Sequence, residues 1–128
     1  MDTGGNFRVL IVEDSALYRL LLKKTLHDRF SSIEIYEAAD GEEALKIIES
    51  SPPNLIFMDI RLPGENGLQL TQKIKARFPN ITVIILTGYD LPEYREASSQ
   101  YADYFFSKDS LTTKNIFTLL ESILPTRV

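Results

Sequence analysis

Short apolar runs alternate with amphipathic segments along the chain, and this alternation predicts its secondary structure. Each apolar run is bounded by turn residues, as buried strands usually are. The segments between the runs carry apolar residues three or four positions apart, which is typical of helices with one buried face. Five strands are therefore predicted, over residues 8–12, 33–36, 55–58, 81–86 and 103–107.

The pattern within the runs predicts where each strand lies in the sheet. Residues 55–58 are all apolar, so the third strand is expected to be buried on both faces. Residues 33–36 alternate apolar and polar side chains, so the second strand is expected at an edge. Alternating strands and helices favour a parallel sheet with helices on both faces. We therefore predict a doubly wound α/β fold with strand order 2-1-3-4-5, the flavodoxin-like (βα)5 arrangement.

Capping and turn residues predict the boundaries of two segments that matter later. The first helix is expected to begin at a cap formed by Asp14 or Ser15. Pro63, Gly64 and Gly67 predict a loop after the third strand. The residues at helical spacing in the first helix predict its buried face: Leu17, Leu20, Leu21, Lys24 and Leu26.

The composition is that of an ordinary globular domain. The chain has 128 residues, of which 44% are hydrophobic and 25% charged, and we expect a single domain over 1–128 with its core at about 7–125. The net charge of −4, with no basic run, argues against direct binding of nucleic acid. The chain has no cysteine and no apolar stretch near the roughly 18 residues of a membrane span. These features favour a cytoplasmic location away from membranes.

Polar side chains stand at the carboxyl ends of four of the five predicted strands. Glu13 and Asp14 follow the first strand, Asp59 the third, Thr87 the fourth and Lys108 the fifth. Parallel strands deliver these ends to one edge of the sheet, where open α/β folds bind ligands. Each residue alone has a simpler interpretation as a helix cap, a turn residue, a buried β-branched residue or a solvated lysine. Their combination on one edge favours a shared chemical role.

The role that these groups suggest is phosphoryl transfer to a carboxylate. Asp59, at the end of the buried strand, is the candidate nucleophile and would form an aspartyl phosphate. Three clustered carboxylates repel one another unless a cation holds them, and Mg²⁺ prefers oxygen ligands. Lys108 and the Thr87 hydroxyl could each pair with a phosphoryl oxygen.

Four short motifs, in their order along the chain, resemble those of the receiver domain of two-component response regulators. They are Val-Glu-Asp-Ser at 12–15, Met-Asp-Ile-Arg-Leu-Pro-Gly at 58–64, Leu-Thr-Gly at 86–88 and Phe-Phe-Ser-Lys at 105–108. Each motif is weak by itself, whereas the ordered set is specific, and the resemblance runs from residue 8 to residue 124. It implies a signalling phosphoacceptor that catalyses only its own phosphorylation and dephosphorylation.

The resemblance also implies roles for the residues at the sheet edge. Asp59 would accept a phosphoryl group from a sensor histidine kinase or a phosphotransfer protein, and Lys108 would contact that group. Mg²⁺ would be bound by Glu13 through water, by Asp14, by Asp59 and by the backbone carbonyl of Arg61. These assignments agree with the chemistry suggested by the residues themselves.

A second set of implied roles concerns the switch and the lifetime of the phosphate. Thr87 and Phe105 would change the surface of helix four, strand five and helix five, which would control an output domain or protein partner. Phosphorylation-dependent dimerisation is one expected readout. Arg61 and Tyr89 each lie two residues past a site residue and are predicted to tune the phosphate lifetime in either direction. Asp109 stands where many family members have proline, which puts a cis peptide bond before it in doubt.

Two alternatives remain open on the sequence alone. A haloacid-dehalogenase-type phosphatase also uses a strand-end aspartate, Mg²⁺, a threonine and a lysine, but it needs a second aspartate two residues after the nucleophile. This chain has Arg61 there, so the general acid and base is missing. The other alternative is a receiver-like module that binds partners without phosphorylation, and the complete acidic set argues against it. The sequence leaves open the kinase, the output and whether the chain stands alone or belongs to a longer regulator.

Overall fold

Five parallel strands form one sheet with helices on both faces in the structure, a computed structural model that describes residues 6–125. The predicted domain also includes 1–5 and 126–128, which lie outside the described residues. The elements in chain order are β1 (Arg8–Val12), α1 (Ala16–Arg29), β2 (Glu34–Ala38), α2 (Gly41–Ser50), β3 (Leu55–Met58), β4 (Arg61–Leu62), β5 (Glu65–Asn66), α3 (Gly67–Arg77), β6 (Thr82–Thr87), α4 (Pro92–Ser98), β7 (Tyr104–Ser107) and α5 (Thr113–Ile123).

The strand order of the main sheet is β2-β1-β3-β6-β7, with every neighbouring pair parallel. Counted among these five strands alone, this is the predicted order 2-1-3-4-5. The strand with alternating polarity, β2, lies at an edge, as predicted from its half-polar pattern. The predicted doubly wound α/β fold is therefore confirmed.

The central strand β3 shows how the two faces of the sheet are filled. Leu55 and Phe57 point to the layer of α1 and α5, whereas Ile56 and Met58 point to the layer of α2, α3 and α4. All four side chains are at most 3% exposed. A strand buried on both faces needs apolar residues at every position, which is why its sequence is a continuous apolar run.

The buried face of α1 differs from the predicted one. Leu22 and Leu26, four residues apart and so on the same side of the helix, are buried in the core against β1 and β3. The helix carries leucines on more than one face. Helical spacing alone was therefore compatible with two different buried faces, and the predicted one was wrong. Only Leu26 of the predicted set is buried; the following are exposed: Leu17, Leu20, Leu21 and Lys24.

The segment after β3, predicted as a loop, contains a small antiparallel hairpin of β4 and β5. Gly64 lies in its turn with a φ of +78°, a left-handed conformation that favours glycine. Gly67 then begins α3, and its N–H donates to the Ile60 carbonyl at 2.8 Å. A Cβ on Gly67 would lie 1.9 Å from the Asp59 carbonyl oxygen, so the close approach of two backbones requires glycine here.

None of the helices described in residues 6–125 has the length and apolar character needed to cross a membrane.

Candidate functional site

Backbone hydrogen bonds that continue past the strand ends align the predicted site residues along one edge of the sheet. The Asp59 N–H donates to the Val12 carbonyl at 3.0 Å, which places Asp59 beside the residue that follows β1. The Lys108 N–H donates to the Thr87 carbonyl at 2.8 Å, which places Lys108 beside the end of β6. The carboxyl ends of β1, β3, β6 and β7 thus meet as the sequence predicted.

Three carboxylates form the acidic part of this edge. Glu13 and Asp59 are buried, with exposed fractions of 4% and 7%, whereas Asp14 is exposed. One oxygen atom of each lies within 4.8 Å of the others. Ser15 caps α1, because its hydroxyl oxygen accepts the Tyr18 N–H at 3.1 Å, so Asp14 is not needed as the cap. The three groups form a cluster of hard oxygen donors.

The Lys108 ammonium group bridges two of these carboxylates. It donates to Glu13 Oε1 and, at 3.2 Å, to Asp59 Oδ2. Only 20% of the Lys108 side chain is exposed. A shielded ammonium beside buried carboxylates interacts more strongly than the same pair in water. The ion pairs therefore balance part of the negative charge of the edge.

Backbone donors fix the carboxylates themselves. Asp59 Oδ1 accepts the N–H of Ile60 at 2.7 Å and the N–H of Arg61 at 3.4 Å. Glu13 Oε2 accepts the Ser15 N–H at 2.8 Å. In each carboxylate, one oxygen is held by the backbone and the other faces Lys108. Asp59 Oδ2 is thereby the oxygen that faces the Lys108 ammonium group.

Burial and charge shift the pKa values of two groups in this cluster. Burial raises the pKa of Glu13, outweighing the hydrogen bonds from Lys108 and Ser15 that lower it. Burial alone would lower the pKa of Lys108, but the carboxylates of Glu13 and Asp59 outweigh it and raise this pKa. The Lys108 side chain is therefore protonated and positively charged at neutral pH.

Thr87 and the two predicted lifetime residues lie around this edge, Thr87 at the end of β6, Arg61 in β4 and Tyr89 in the loop after β6. Thr87 is fully buried, and its hydroxyl oxygen accepts the Tyr89 N–H at 3.1 Å. Arg61 lies in β4, and its guanidinium carbon is 4.2 Å from the centroid of the Tyr89 ring. The structure thus brings Arg61 and Tyr89 into direct contact, which their separate positions in the sequence did not predict.

The second predicted switch residue, Phe105, lies in β7 next to Ile85 of β6 and is half-buried. The Arg95 guanidinium of α4 lies 4.6 Å from the centroid of the Phe105 ring. Arg95 is itself held by Asp90, with donor–acceptor distances of 2.5 and 3.0 Å. The peptide bond between Lys108 and Asp109 is trans.

Two residues near the site were not among those predicted from the sequence. The ring of Tyr18 in α1 lies 4.1 Å from the Lys108 Nζ, measured to its centroid. Arg19 donates to the Glu13 carbonyl at 2.5 Å and to the Glu37 carboxylate at 3.1 Å. The available signal was helical periodicity, because Tyr18 lies one turn beyond Asp14 and so faces the same edge.

Comparison with known families agrees with this arrangement. The family model described as the response regulator receiver domain matches residues 9–121. The chain belongs to this family. The motif-based prediction of a receiver domain of two-component signalling is thereby confirmed, and the chain has the flavodoxin-like α/β fold of its structural neighbours.

Two curated relatives show how far the similarity extends. The chain is 34% identical over 101 residues to the transcriptional activator protein ExaE of Pseudomonas putida, which covers 78% of this chain and 47% of that protein. It is 32% identical over 104 residues to sporulation initiation phosphotransferase F of Bacillus subtilis, covering 80% of this chain and 82% of that protein. The chain therefore spans less than half of the first relative and most of the second.

Two solved structures are similar over nearly the whole chain. A CheY-like response regulator receiver domain protein from Methanospirillum hungatei has a TM-score of 0.84 and 28% identity, covering 92% of this chain and 93% of its own. The response regulator TrrA from Thermotoga maritima, in complex with Mg²⁺ and BeF, has a TM-score of 0.81 and 32% identity. That match covers 92% of this chain and 99% of its own.

Proposed function

We propose that this receiver domain accepts a phosphoryl group on Asp59 in a Mg²⁺-dependent reaction with a sensor histidine kinase or a phosphotransfer protein. The observation that carries the proposal is the contact of the Lys108 ammonium with Asp59 Oδ2, inside a cluster of three carboxylates. A nucleophilic oxygen, a cation for the incoming phosphate and a donor set for a metal lie within one small site. Membership of the receiver family supports the general role, and these contacts support the proposed roles of the individual residues.

The donor set fits Mg²⁺. Three carboxylates with oxygens within 4.8 Å of one another have the hard-ligand chemistry that this ion prefers. Glu13 through water, Asp14, Asp59 and the backbone carbonyl of Arg61 would hold it. When bound, Mg²⁺ would neutralise charge on the carboxylates and on the phosphoryl oxygens.

The residues of the chain then perform the transfer by position and charge. Asp59 Oδ2 attacks the phosphorus of a phosphohistidine, so a P–O bond forms as the P–N bond breaks and the imidazole leaves. The Ile60 N–H keeps the other carboxylate oxygen in place at 2.7 Å. Lys108 pairs with one phosphoryl oxygen in place of Asp59 Oδ2, and the Thr87 hydroxyl donates its proton to another.

The site is built for one phosphorylation event and lacks the group needed for repeated turnover. The position two residues past the nucleophile holds Arg61, whose guanidinium stacks on Tyr89. A guanidinium cannot serve as a general acid and base near neutral pH. We therefore expect this domain to catalyse only its own phosphorylation and dephosphorylation.

The donor is proposed to dock on the first turns of α1. Leu17, Leu20 and Leu21 have exposed fractions of 65%, 59% and 53%, and α1 begins directly after the acidic residues. A buried nucleophile such as Asp59 requires a protein donor to seat closely against this edge. The partner that binds the exposed leucines of α1 is thus a phosphohistidine-bearing protein with an apolar face. Leu20→Asp should slow transfer from a kinase that phosphorylates the wild type, and leave phosphorylation by acetyl phosphate unchanged.

The output is proposed to be read on the surface of α4, β7 and α5. Phe105 and Arg95 lie on it, in contact with each other and close to the end of β6. An output domain, a separate protein or a second copy of the chain would bind there. We place this activity in a single domain over residues 1–128, in the cytoplasm.

The direct test is phosphorylation by acetyl phosphate with Mg²⁺, read by intact mass. The wild type should gain one phosphoryl group, and Asp59→Asn should gain none. Asp109→Asn is the matched control, since Asp109 is an exposed carboxylate beside Lys108 in sequence, and it should gain the group. Equal labelling of Asp59→Asn and wild type would refute the assignment.

A further inference from the structure

The Lys108 ammonium makes three contacts that matter here, within the described part of the chain. Two are to carboxylates, Glu13 Oε1 and Asp59 Oδ2, and the third is to the face of the Tyr18 ring, 4.1 Å from its centroid. A lysine side chain has a flexible four-carbon stem, so its ammonium group needs several contacts to keep one position. The aromatic contact differs from the other two because it does not involve a residue that would bind the metal ion or the phosphoryl group.

Both carboxylate contacts involve residues that the proposed function assigns to the metal or to the phosphoryl group. A divalent cation on Glu13 and Asp59 would withdraw their charge from Lys108 and repel its ammonium group. Phosphorylation would further change Asp59 from an anion into a mixed anhydride. The Tyr18 ring is neutral, binds no hard metal and remains as it is. It attracts the ammonium through its quadrupole whichever group occupies the carboxylates.

Tyr18 is also held firmly enough to serve as a platform. It occupies the third position of α1, and its N–H donates to the Ser15 capping hydroxyl at 3.1 Å. The ring is half-buried, and burial raises the pKa of its hydroxyl, so the ring stays neutral near physiological pH. Leu22, one turn further along, is buried in the core and anchors the same face of the helix.

We infer that Tyr18 is a positioning residue that keeps the Lys108 ammonium at the phosphoryl site when Glu13 and Asp59 are engaged by other groups. This inference rests on the proposed function for its kinetic consequence. The contact itself is a property of the folded chain and can be tested without metal or phosphate. The aromatic ring, and not the hydroxyl, is the working part.

The first measurement is the NMR shift of the Lys108 ε-methylene in metal-free protein. A ring face beside this group moves its proton resonance upfield. The shift should be present in the wild type and in Tyr18→Phe, and it should be lost in Tyr18→Leu. An unchanged Lys108 resonance in Tyr18→Leu would overturn the inference whether or not the protein is a phosphoacceptor.

The second measurement is the rate of phosphorylation by phosphoramidate at saturating Mg²⁺. Tyr18→Leu should react three- to tenfold more slowly, and Tyr18→Phe should stay within about twofold of the wild type, since a cation–π contact contributes modestly at a partly exposed site. Leu22→Ala is the packing control, because it disturbs the same face of α1 without touching Lys108. If Leu22→Ala slows the reaction as much as Tyr18→Leu, the effect comes from helix packing and the inference is wrong.

A double-mutant cycle separates action through Lys108 from independent action. In a Lys108→Ala background, replacing Tyr18 with Leu should cause no further loss of rate. A full multiplicative loss in that background would show that Tyr18 acts elsewhere and overturn its positioning role. A wild type that takes up no phosphate would refute the proposed function and the kinetic role together, while the Lys108 shift would still decide the contact.

Discussion

The Arg61 guanidinium lies over the Tyr89 ring, with its carbon 4.2 Å from the ring centroid. One residue follows Asp59 by two positions, and the other follows Thr87 by two. The contact therefore joins the hairpin that follows β3 to the loop that follows β6. Asp59 is only 7% exposed, and we expect this pair to restrict the path of a hydrolytic water to it.

The stack predicts the lifetime of the phosphorylated state. Arg61→Ala or Tyr89→Ala should speed dephosphorylation between two- and tenfold, because either change opens the same path for water. The double variant should be no faster than the faster single one, since contacting residues are not additive. Tyr89→Phe keeps the ring and is the matched control. Single variants within about twofold of the wild type, roughly 0.4 kcal/mol on the barrier, would contradict this role.

Gly67 is predicted to be the glycine on which the site depends most. A Cβ there would lie 1.9 Å from the carbonyl oxygen of Asp59, so alanine must push α3 away from the end of β3. We expect Gly67→Ala to lower the free energy of unfolding by about 1–3 kcal/mol and to slow phosphorylation. Gly88→Ala is the control, since no heavy atom lies within 4 Å of its Cβ position. Equal urea midpoints for the two variants would refute the prediction.

The sheet and its functional edge could be predicted because their signals are local. A strand buried on both faces must be apolar throughout, and an edge strand can alternate, so residues 55–58 indicated an interior strand and residues 33–36 an edge strand. The doubly wound order 2-1-3-4-5 satisfies both conditions. Parallel strands end on one side, so polar residues after four strands had to meet. Asp59 and Lys108, 49 residues apart, were therefore predicted to be neighbours, and their side chains are 3.2 Å apart.

Three features were not predicted, because the sequence is compatible with more than one arrangement at each of them. The leucines of α1 fit two helical faces, and only the packing of the whole domain selects the face of Leu22 and Leu26. The hairpin of β4 and β5 has two residues in each strand, too few to show a period. The contact of Tyr18 with Lys108 joins distant parts of the chain and requires the position of both side chains in space.

The Asp90–Arg95 ion pair predicts a pH dependence of the stability of the fold. The hydrogen bonds from Arg95 lower the pKa of Asp90 below its ordinary value of 3.8. An acid with a lowered folded-state pKa stabilises the fold above its unfolded pKa, and this contribution is lost as the pH falls through the folded pKa. The Asp90 carboxyl carbon should thus titrate below pH 3.8 by NMR, and Arg95→Ala should return it to the ordinary range. An unchanged midpoint in Arg95→Ala would show that the pair does not form in solution.

Arg95 also bears on the proposed switch through its contact with Phe105. Its guanidinium, anchored by Asp90, lies 4.6 Å from the ring centroid and favours the half-buried position of that ring. Thr87, at the end of the neighbouring strand, is fully buried. If its hydroxyl turns to a phosphoryl oxygen, space opens behind β6, and the apolar Phe105 ring gains by moving inward. That movement would give up the contact with Arg95 and change the surface of α4.

This coupling can be followed by amide NMR of the free protein and of its complex with beryllofluoride and Mg²⁺. Shift changes should reach residues 90–112 in the wild type and shrink in Thr87→Ala. Arg95→Ala should move the free protein toward the complex by two- to fivefold in population, since a cation–π contact at an exposed site is worth about 0.5–1 kcal/mol. A full reversal of the two populations from 1:99 to 99:1 needs about 5.5 kcal/mol. The contact with Arg95 therefore only adjusts the equilibrium between the two states, and phosphorylation must provide most of the free energy for the change. Changes confined to the loops that touch the ligand, or an identical response in Thr87→Ala, would show that Thr87 and Phe105 are not coupled.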